Sequence, residues 1–270
     1  MTTIREHKES DISDFYQHIR DYWVQLSSSP RGDASLMLNF GYWPEGIGNL
    51  FEAQSRFVEE IEALLPPMSA GTMGLEIGCG IGGVSIKVLK DHPDLRMTAL
   101  DISTAQLIIT AKHAQEAGVS DRLKTRQGDA MALPFTPGSF DLTLCIESTF
   151  HYEDKAKFMH CNFNVLKPGG CTVLADITCE DNDRVRFRQG NYFESRQTYI
   201  DLAAEAGFEV ESISDIGPSV FSPLYRFIRE FNQTRRLHSG KYWSVVLRNY
   251  EELCAQGLMG YHLFRLKKPL

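Results

Sequence analysis

No stretch of these 270 residues is apolar for long enough to cross a membrane, and the first ten hold no apolar secretion-signal core. Cysteines paired at metal-ligand spacing are also missing. The six stand apart at 79, 145, 161, 171, 179 and 254, so no zinc site is expected. They read instead as free thiols in a reducing compartment. There is no basic tract, and a net charge of -7 argues against a nucleic-acid backbone as the main partner. Internal repeats and low-complexity segments are absent too. What remains is a cytoplasmic globular chain, 43% hydrophobic and 23% charged, long enough for one large α/β domain with insertions.

The richest stretch is Gly74-Leu75-Glu76-Ile77-Gly78-Cys79-Gly80-Ile81-Gly82-Gly83. An apolar run that opens at Met73 stops at a turn with four glycines, and a helical pattern follows at Val84, Ile86, Val88 and Leu89. Such a strand-to-helix turn lets a ligand approach bare backbone and faces it with helix N-terminal N–H groups. Gly78, Gly80 and Gly83 also satisfy the dinucleotide fingerprint, so the glycines alone choose no cofactor. Glu76, two residues before the turn, sits badly beside a pyrophosphate and well beside a cation.

Around this loop the chain falls into three parts. Residues 1–70 read as an N-terminal helical lid segment, with one helix near 11–26, an aromatic stretch Asn39-Phe40-Gly41-Tyr42-Trp43, and a second helix near 50–65 closed by Pro66-Pro67. Residues 71–217 and 257–270 read as a nucleoside-binding core in which strands and helices alternate, a pattern of doubly wound, mostly parallel sheets. Its strands are expected near 73–78, 96–101, 123–127, 140–147, 171–175 and 208–216, and 260–266 closes the sheet. Between the last two, residues 218–256 read as inserted helices that bind the acceptor.

Taken in order, the acidic-x-Gly-x-Gly-x-Gly loop, Asp101 at the end of the second strand, Gly128-Asp129-Ala130 after the third, Ala132-Leu133-Pro134-Phe135 with Ser139-Phe140-Asp141, and Val165-Leu166-Lys167-Pro168-Gly169-Gly170 resemble the class I S-adenosylmethionine (SAM)-dependent methyltransferases. The likeness is nearest to the small-molecule type that tailors sterols, quinones and natural products. It covers residues 39–176 well and 177–256 poorly. It implies an α/β Rossmann-like sheet, mostly parallel with an antiparallel last strand, and SAM as methyl donor with S-adenosylhomocysteine as product. It further implies Gly78, Cys79 and Gly80 at the methionine end, Asp101 on the ribose hydroxyls, Asp129 and the Ala130 N–H on adenine, and Ile102, Gln106, Glu147, Glu76 and Tyr42 as further cofactor contacts.

The chemistry needs a nucleophile aligned with the sulfur–methyl bond, and neither a metal nor a covalent intermediate. An oxygen acceptor also needs its proton removed. His151, after the fourth strand, is the candidate base, and Asp176, at the end of the fifth, the candidate to orient it or to bind the acceptor. The run Glu147-Ser148-Thr149-Phe150-His151-Tyr152 departs from the Asn-Pro-Pro-Tyr of adenine and some amide methyltransferases, which disfavours those substrates. The expected reaction is O-methylation of a small, hydrophobic or aromatic secondary metabolite. C- or N-methylation, an NAD(P)-dependent oxidoreductase and a non-catalytic SAM-binding protein stay open at this point. Tyr16 and Trp43 read as packing or lid residues. Arg184, Arg186, Arg188, Arg226, Arg229, Arg235 and Arg236 read as a solvated charged face.

Overall fold

The protein was analysed as a computed structural model, which describes residues 20–28, 35–186, 190–234 and 238–270. Tyr16, Arg188, Arg235 and Arg236 lie outside these residues. The elements follow in the order α1 (Leu50–Glu62), β1 (Met73–Ile77), α2 (Gly83–Asp91), β2 (Arg96–Asp101), α3 (Thr104–Glu116), β3 (Leu123–Gln127), β4 (Phe140–Ile146), α4 (Lys155–Val165), β5 (Leu166–Cys179), α5 (Arg196–Ala206), β6 (Glu209–Asp215), α6 (Phe221–Thr234), α7 (His238–Ala255) and β7 (Met259–Lys267). Residues 20–26 are helical as well.

Helix starts follow the capping chemistry in the sequence. Asn49, Ser103, Asp154 and Ser195 each accept a backbone N–H from the first turn of α1, α3, α4 and α5. Gly82 at the start of α2 has no side chain to offer. Glu76 supplies it, its Oε2 accepting the Ser85 N–H at 3.0 Å and the Ser85 hydroxyl.

The seven strands form one sheet in the order β3-β2-β1-β4-β5-β7-β6. All pairs from β3 to β5 are parallel, and β7 runs antiparallel between β5 and β6. Strand alternation divides the core into two layers. On one face Leu142, Leu144, Ile146, Val173, Ala175 and Tyr261 pack with α1, α2, α6 and α7. On the other, Leu75, Ile77, Cys145, Leu174 and Phe264 pack with Phe158 and Met159 of α4 and Tyr199 and Ala203 of α5. This is the mostly parallel Rossmann-like sheet expected, with its antiparallel last strand.

The fifth strand differs from expectation. It runs on to Cys179 because β7 pairs with it from Cys171↔Lys267 through Cys179↔Met259, so Asp176 lies within the ladder opposite His262. At its other end Lys167–Gly170 loop out of register, since β4 advances only from Phe140 to Leu142 while β5 advances from Leu166 to Cys171. Two of the matched signatures meet here. Asp141 accepts the Met73 N–H and both its oxygens receive Lys167 Nζ, at 2.8 and 2.9 Å, a join between strand starts at the end of the sheet opposite the strands' carboxyl ends.

The segment 35–43 lies between the sheet's carboxyl end and the helices α6 and α7. The Trp23 and Trp243 rings are 4.9 Å apart, and Phe40 meets Phe221 and Trp243 edge-on. Gly83 is where this segment touches the glycine loop, since a Cβ there would drive into the Leu36 carbonyl. Gly83→Ala is therefore expected to lower stability by ~1–3 kcal/mol through overpacking. Gly48→Ala, where a Cβ meets nothing, should stay within ~0.5 kcal/mol of the parent in the same urea titration.

Candidate active site

A cavity of about 420 Å³ opens beyond the carboxyl ends of β1, β2 and β4, where open α/β sheets bind ligands. Its size suits a small organic molecule. Glu76, Gly78, Cys79, Gly80, Asp101, Ile102, Gln106, Asp129, Ala130, Glu147 and His151 all line it.

Local geometry explains the arrangement. The Gly78 and Cys79 N–H groups both donate to the Leu100 carbonyl, which draws the glycine loop over the end of β2. Gly78 has φ +77° and no room for a Cβ against Ser148, whereas at Gly80 a Cβ would meet only Leu38, at 3.6 Å. Asp101 accepts Gly80 N–H on one oxygen and Ser103 N–H on the other, both at 2.9 Å. Asp129 accepts the Met131 N–H at 2.9 Å, which holds the turn after β3.

The cavity has a one-sided charge. Asp101 and Asp129 border it together with Glu76 and Glu147, whose raised carboxyls ionise fully only above neutral pH without ligand, and among the described lining residues there is no Lys or Arg. Ionised carboxylates are acceptors only, so such a wall suits hydroxyls, amino groups and a cation and opposes a pyrophosphate. These are the groups of SAM, with its ribose, adenine amine, ammonium and sulfonium. The residues present fit that donor and do not fit NAD(P).

Glu147 has φ +47°, the one non-glycine residue with positive φ among those described. Its Oε1 accepts Phe40 N–H and Tyr261 hydroxyl, each at 2.7 Å. Burial pushes its carboxyl up to about 8, against those two hydrogen bonds. Burial likewise raises Glu76 to about 7, with the Ser85 hydrogen bonds opposing.

A second cavity of about 50 Å³ adjoins the first, sharing Leu38, Glu147 and His151. Its remaining wall is largely aromatic: Trp23, Phe40, Phe150, Phe193, and Tyr242, Trp243 and Tyr250 of α7. His151 sits at the junction. Its Nδ1 lies 3.1 Å from the Gly190 carbonyl, which can only accept, so Nδ1 carries the proton and Nε2 the lone pair. Burial drives the His151 pKa down to about 4, helped by the charge of Lys155 and opposed by the Gly190 bond.

Two expected residues lie elsewhere. Asp176 borders neither cavity. It is fully buried, accepts the Tyr199 hydroxyl at 2.8 Å and the Ile177 N–H, and burial raises it to about 6. Tyr42 borders neither cavity either, since Gly41 turns the chain at φ +74° and the Tyr42 N–H bonds to the Ala53 carbonyl of α1. The turn instead presents Leu36–Asn39 to the larger cavity. Their nearness to Asn39-Phe40-Gly41-Tyr42-Trp43 was the available signal; the direction of the chain there was not in it.

Known proteins agree with this geometry. A family model described as a methyltransferase domain matches residues 75–170. The 27-O-demethylrifamycin SV methyltransferase of Amycolatopsis mediterranei (strain S699) is 30% identical over 246 residues, 86% of this chain and 90% of that protein. The ajmaline N-methyltransferase of Rauvolfia serpentina is 28% identical over 204 residues, 72% of this chain and 76% of that one. Among solved structures, geranyl diphosphate C-methyltransferase from Streptomyces coelicolor A3(2) superposes with a TM-score of 0.75 at 18% identity, covering 94% of this chain and 98% of that one. The chain belongs to the class I SAM-dependent methyltransferases that act on small molecules. SAM is its methyl donor, and the relatives include enzymes that methylate oxygen, nitrogen and carbon. No helix among the described residues is long and apolar enough to cross a membrane.

The buried carboxyls have a measurable consequence without ligand. Asp176, Glu76 and Glu147 are raised to about 6, 7 and 8 in the folded chain. Between the ordinary carboxylate range and those values the folded state holds more protons than the unfolded, so stability falls as pH rises. The depressed His151 gives the opposite slope, confined to about pH 4–6.5. The unfolding midpoint of the ligand-free protein is therefore expected to drop from pH 6.5 to 8.5, and Glu147→Gln to flatten the upper part of that drop.

Proposed function

We propose that the enzyme methylates an oxygen of a small, hydrophobic or aromatic secondary metabolite, with His151 as general base. The observation that carries this reading is the position of His151. It borders both the carboxylate-lined cavity and the aromatic one, with its Nδ1 proton committed to Gly190. When bound, SAM supplies an electrophilic methyl group on a sulfonium. The rest of the task falls to the chain. Asp101 would take the ribose hydroxyls, Asp129 and the Ala130 N–H the adenine, and Glu76 the ammonium. Gly78, Cys79 and Gly80 would flank the methionine end, with Ile102 and Gln106 beside the nucleoside.

The acceptor would lie against the rings of Phe150, Phe193, Trp243 and Tyr250, so that α6 and α7 with the N-terminal segment form the acceptor side. The core of 71–217 and 257–270 would form the donor side. Holding both partners in near-attack geometry can supply roughly 7–11 kcal/mol of the barrier. Nε2 of His151, unprotonated at neutral pH, would take the hydroxyl proton as the oxygen attacks. The six cysteines form no disulfide among the described residues, which suits a cytoplasmic enzyme.

The first test is a mass-spectrometric screen of purified protein, methyl-labelled SAM and fractionated metabolite extract, with Asp101→Ala as the blank. A labelled methyl ether absent from the blank is the expected result. On that product, His151→Ala should lower kcat about 10²–10⁴-fold, with activity in the parent lost only on the acid side, below about pH 5. An unchanged rate in His151→Ala would remove the base role, whereas a labelled N-methyl or C-methyl product in place of the ether would indicate an acceptor that needs only alignment. Glu76 gives a separate expectation. A protonated Glu76 cannot pair with an ammonium, so the Kd of S-adenosylhomocysteine should rise as pH falls below 7, by up to about tenfold per unit. Calorimetry on Glu76→Gln should find weaker binding with this slope gone.

A further inference from the structure

Lys155 is a costly residue where it stands. It is only 4% exposed and occupies the first turn of α4, directly after the N-cap Asp154. Lysine is seldom buried unless paired, and a cation at a helix N-terminus meets the positive end of the helix dipole. Burial accordingly lowers its pKa, with the charges of Asp176 and Glu194 opposing.

Its ammonium donates to two backbone carbonyls, Tyr152 at 3.1 Å and Tyr192. The second belongs to another part of the chain. In the same short stretch the Tyr192 N–H donates to the Phe150 carbonyl at 2.6 Å, and the Gly190 carbonyl receives His151 Nδ1–H. These bonds join residues 150–155 to residues 190–192, two of them made by the side chains of Lys155 and His151. No regular secondary structure holds residues 190–192, so these bonds determine where the Gly190 carbonyl points.

We propose that Lys155 is a positioning residue for His151. It anchors the Tyr192 carbonyl and thereby keeps the Gly190 carbonyl on Nδ1, which leaves Nε2 as the proton-accepting nitrogen. Asp176, which touches neither cavity, acts at one further remove as a counter-charge to the buried ammonium. The significance for catalysis rests on the reading of His151 as base, but the arrangement of the imidazole proton does not.

The test is nitrogen NMR of histidine-labelled protein bound to S-adenosylhomocysteine, with the His151 signals assigned by their loss in His151→Gln. In the parent, Nδ1 should be protonated and Nε2 not. Lys155→Met fills the same space without donors. It should bind S-adenosylhomocysteine within about twofold of the parent, since Lys155 does not border the larger cavity, while its His151 becomes a mixture of both tautomers. Lys155→Arg, which keeps a cation and its donors, should keep the parent tautomer. If Lys155→Met does not fold, Lys155→Gln takes its place with the same expectation. A folded variant whose His151 remains wholly the Nδ1–H tautomer overturns the proposal. A mixed tautomer together with an unaffected methylation rate in His151→Ala would leave the positioning intact and remove only the base role.

Discussion

The carboxylate of Glu147 is the constraint on which the two halves of the site depend. It ends the run of β4, holds the 35–43 segment through the Phe40 N–H and the sheet's antiparallel strand through the Tyr261 hydroxyl. It does so from a left-handed backbone, a conformation that costs of order 1–3 kcal/mol for a non-glycine residue. A strained, half-buried acid is tolerable only where the surroundings fix it, and here three separate parts of the chain converge on it. Because it borders both cavities, the residue that holds the 35–43 segment down also stands between the two.

Charge distinguishes the two cavities. The larger is walled by carboxyls with no lysine or arginine among its described residues, a wall that suits a cationic nucleoside and opposes a dinucleotide. The smaller is walled by rings, the phenols of Tyr242 and Tyr250 among them, with Glu147 and His151 beside them. His151, kept neutral by burial, can therefore sit beside a sulfonium without electrostatic conflict. Glu76 does two jobs with one carboxylate, closing the N-terminus of α2 where Gly82 has no side chain and leaving a buried charge that a cationic ligand would satisfy.

Much of this was legible in the residues because it is local. The four glycines between 78 and 83 mark the turn, Pro66-Pro67 marks the end of a helix near 50–65, and the apolar runs near 73–78 and 140–147 mark strands. Asp101 and Asp129 follow strands whose ends must lie at one edge of a parallel sheet, so their convergence on one cavity also followed from the order of elements. The place of Asp176 is not local in this way. The pattern of residues ends its strand at 175, because the partner that prolongs it, β7, is about ninety residues away in the chain. Pairing at that distance leaves no local trace, and it moved the acid from an expected rim position into the middle of a ladder.

The sequence by itself determined the order of strands and helices, the glycine loop and the set of acids lining the larger cavity, since each follows from residues near in the chain. Only the tertiary structure decided which way the chain turns at Gly41, so that Leu36–Asn39 border the cavity in place of Tyr42. It also decided that α7 brings a wall of rings to His151, and that residues 190–192 lie on the turn before α4 and set the tautomer of that histidine. These are contacts between segments tens to hundreds of residues apart. Their geometry is set by packing against shared neighbours, a property of the assembled core rather than of any stretch within it.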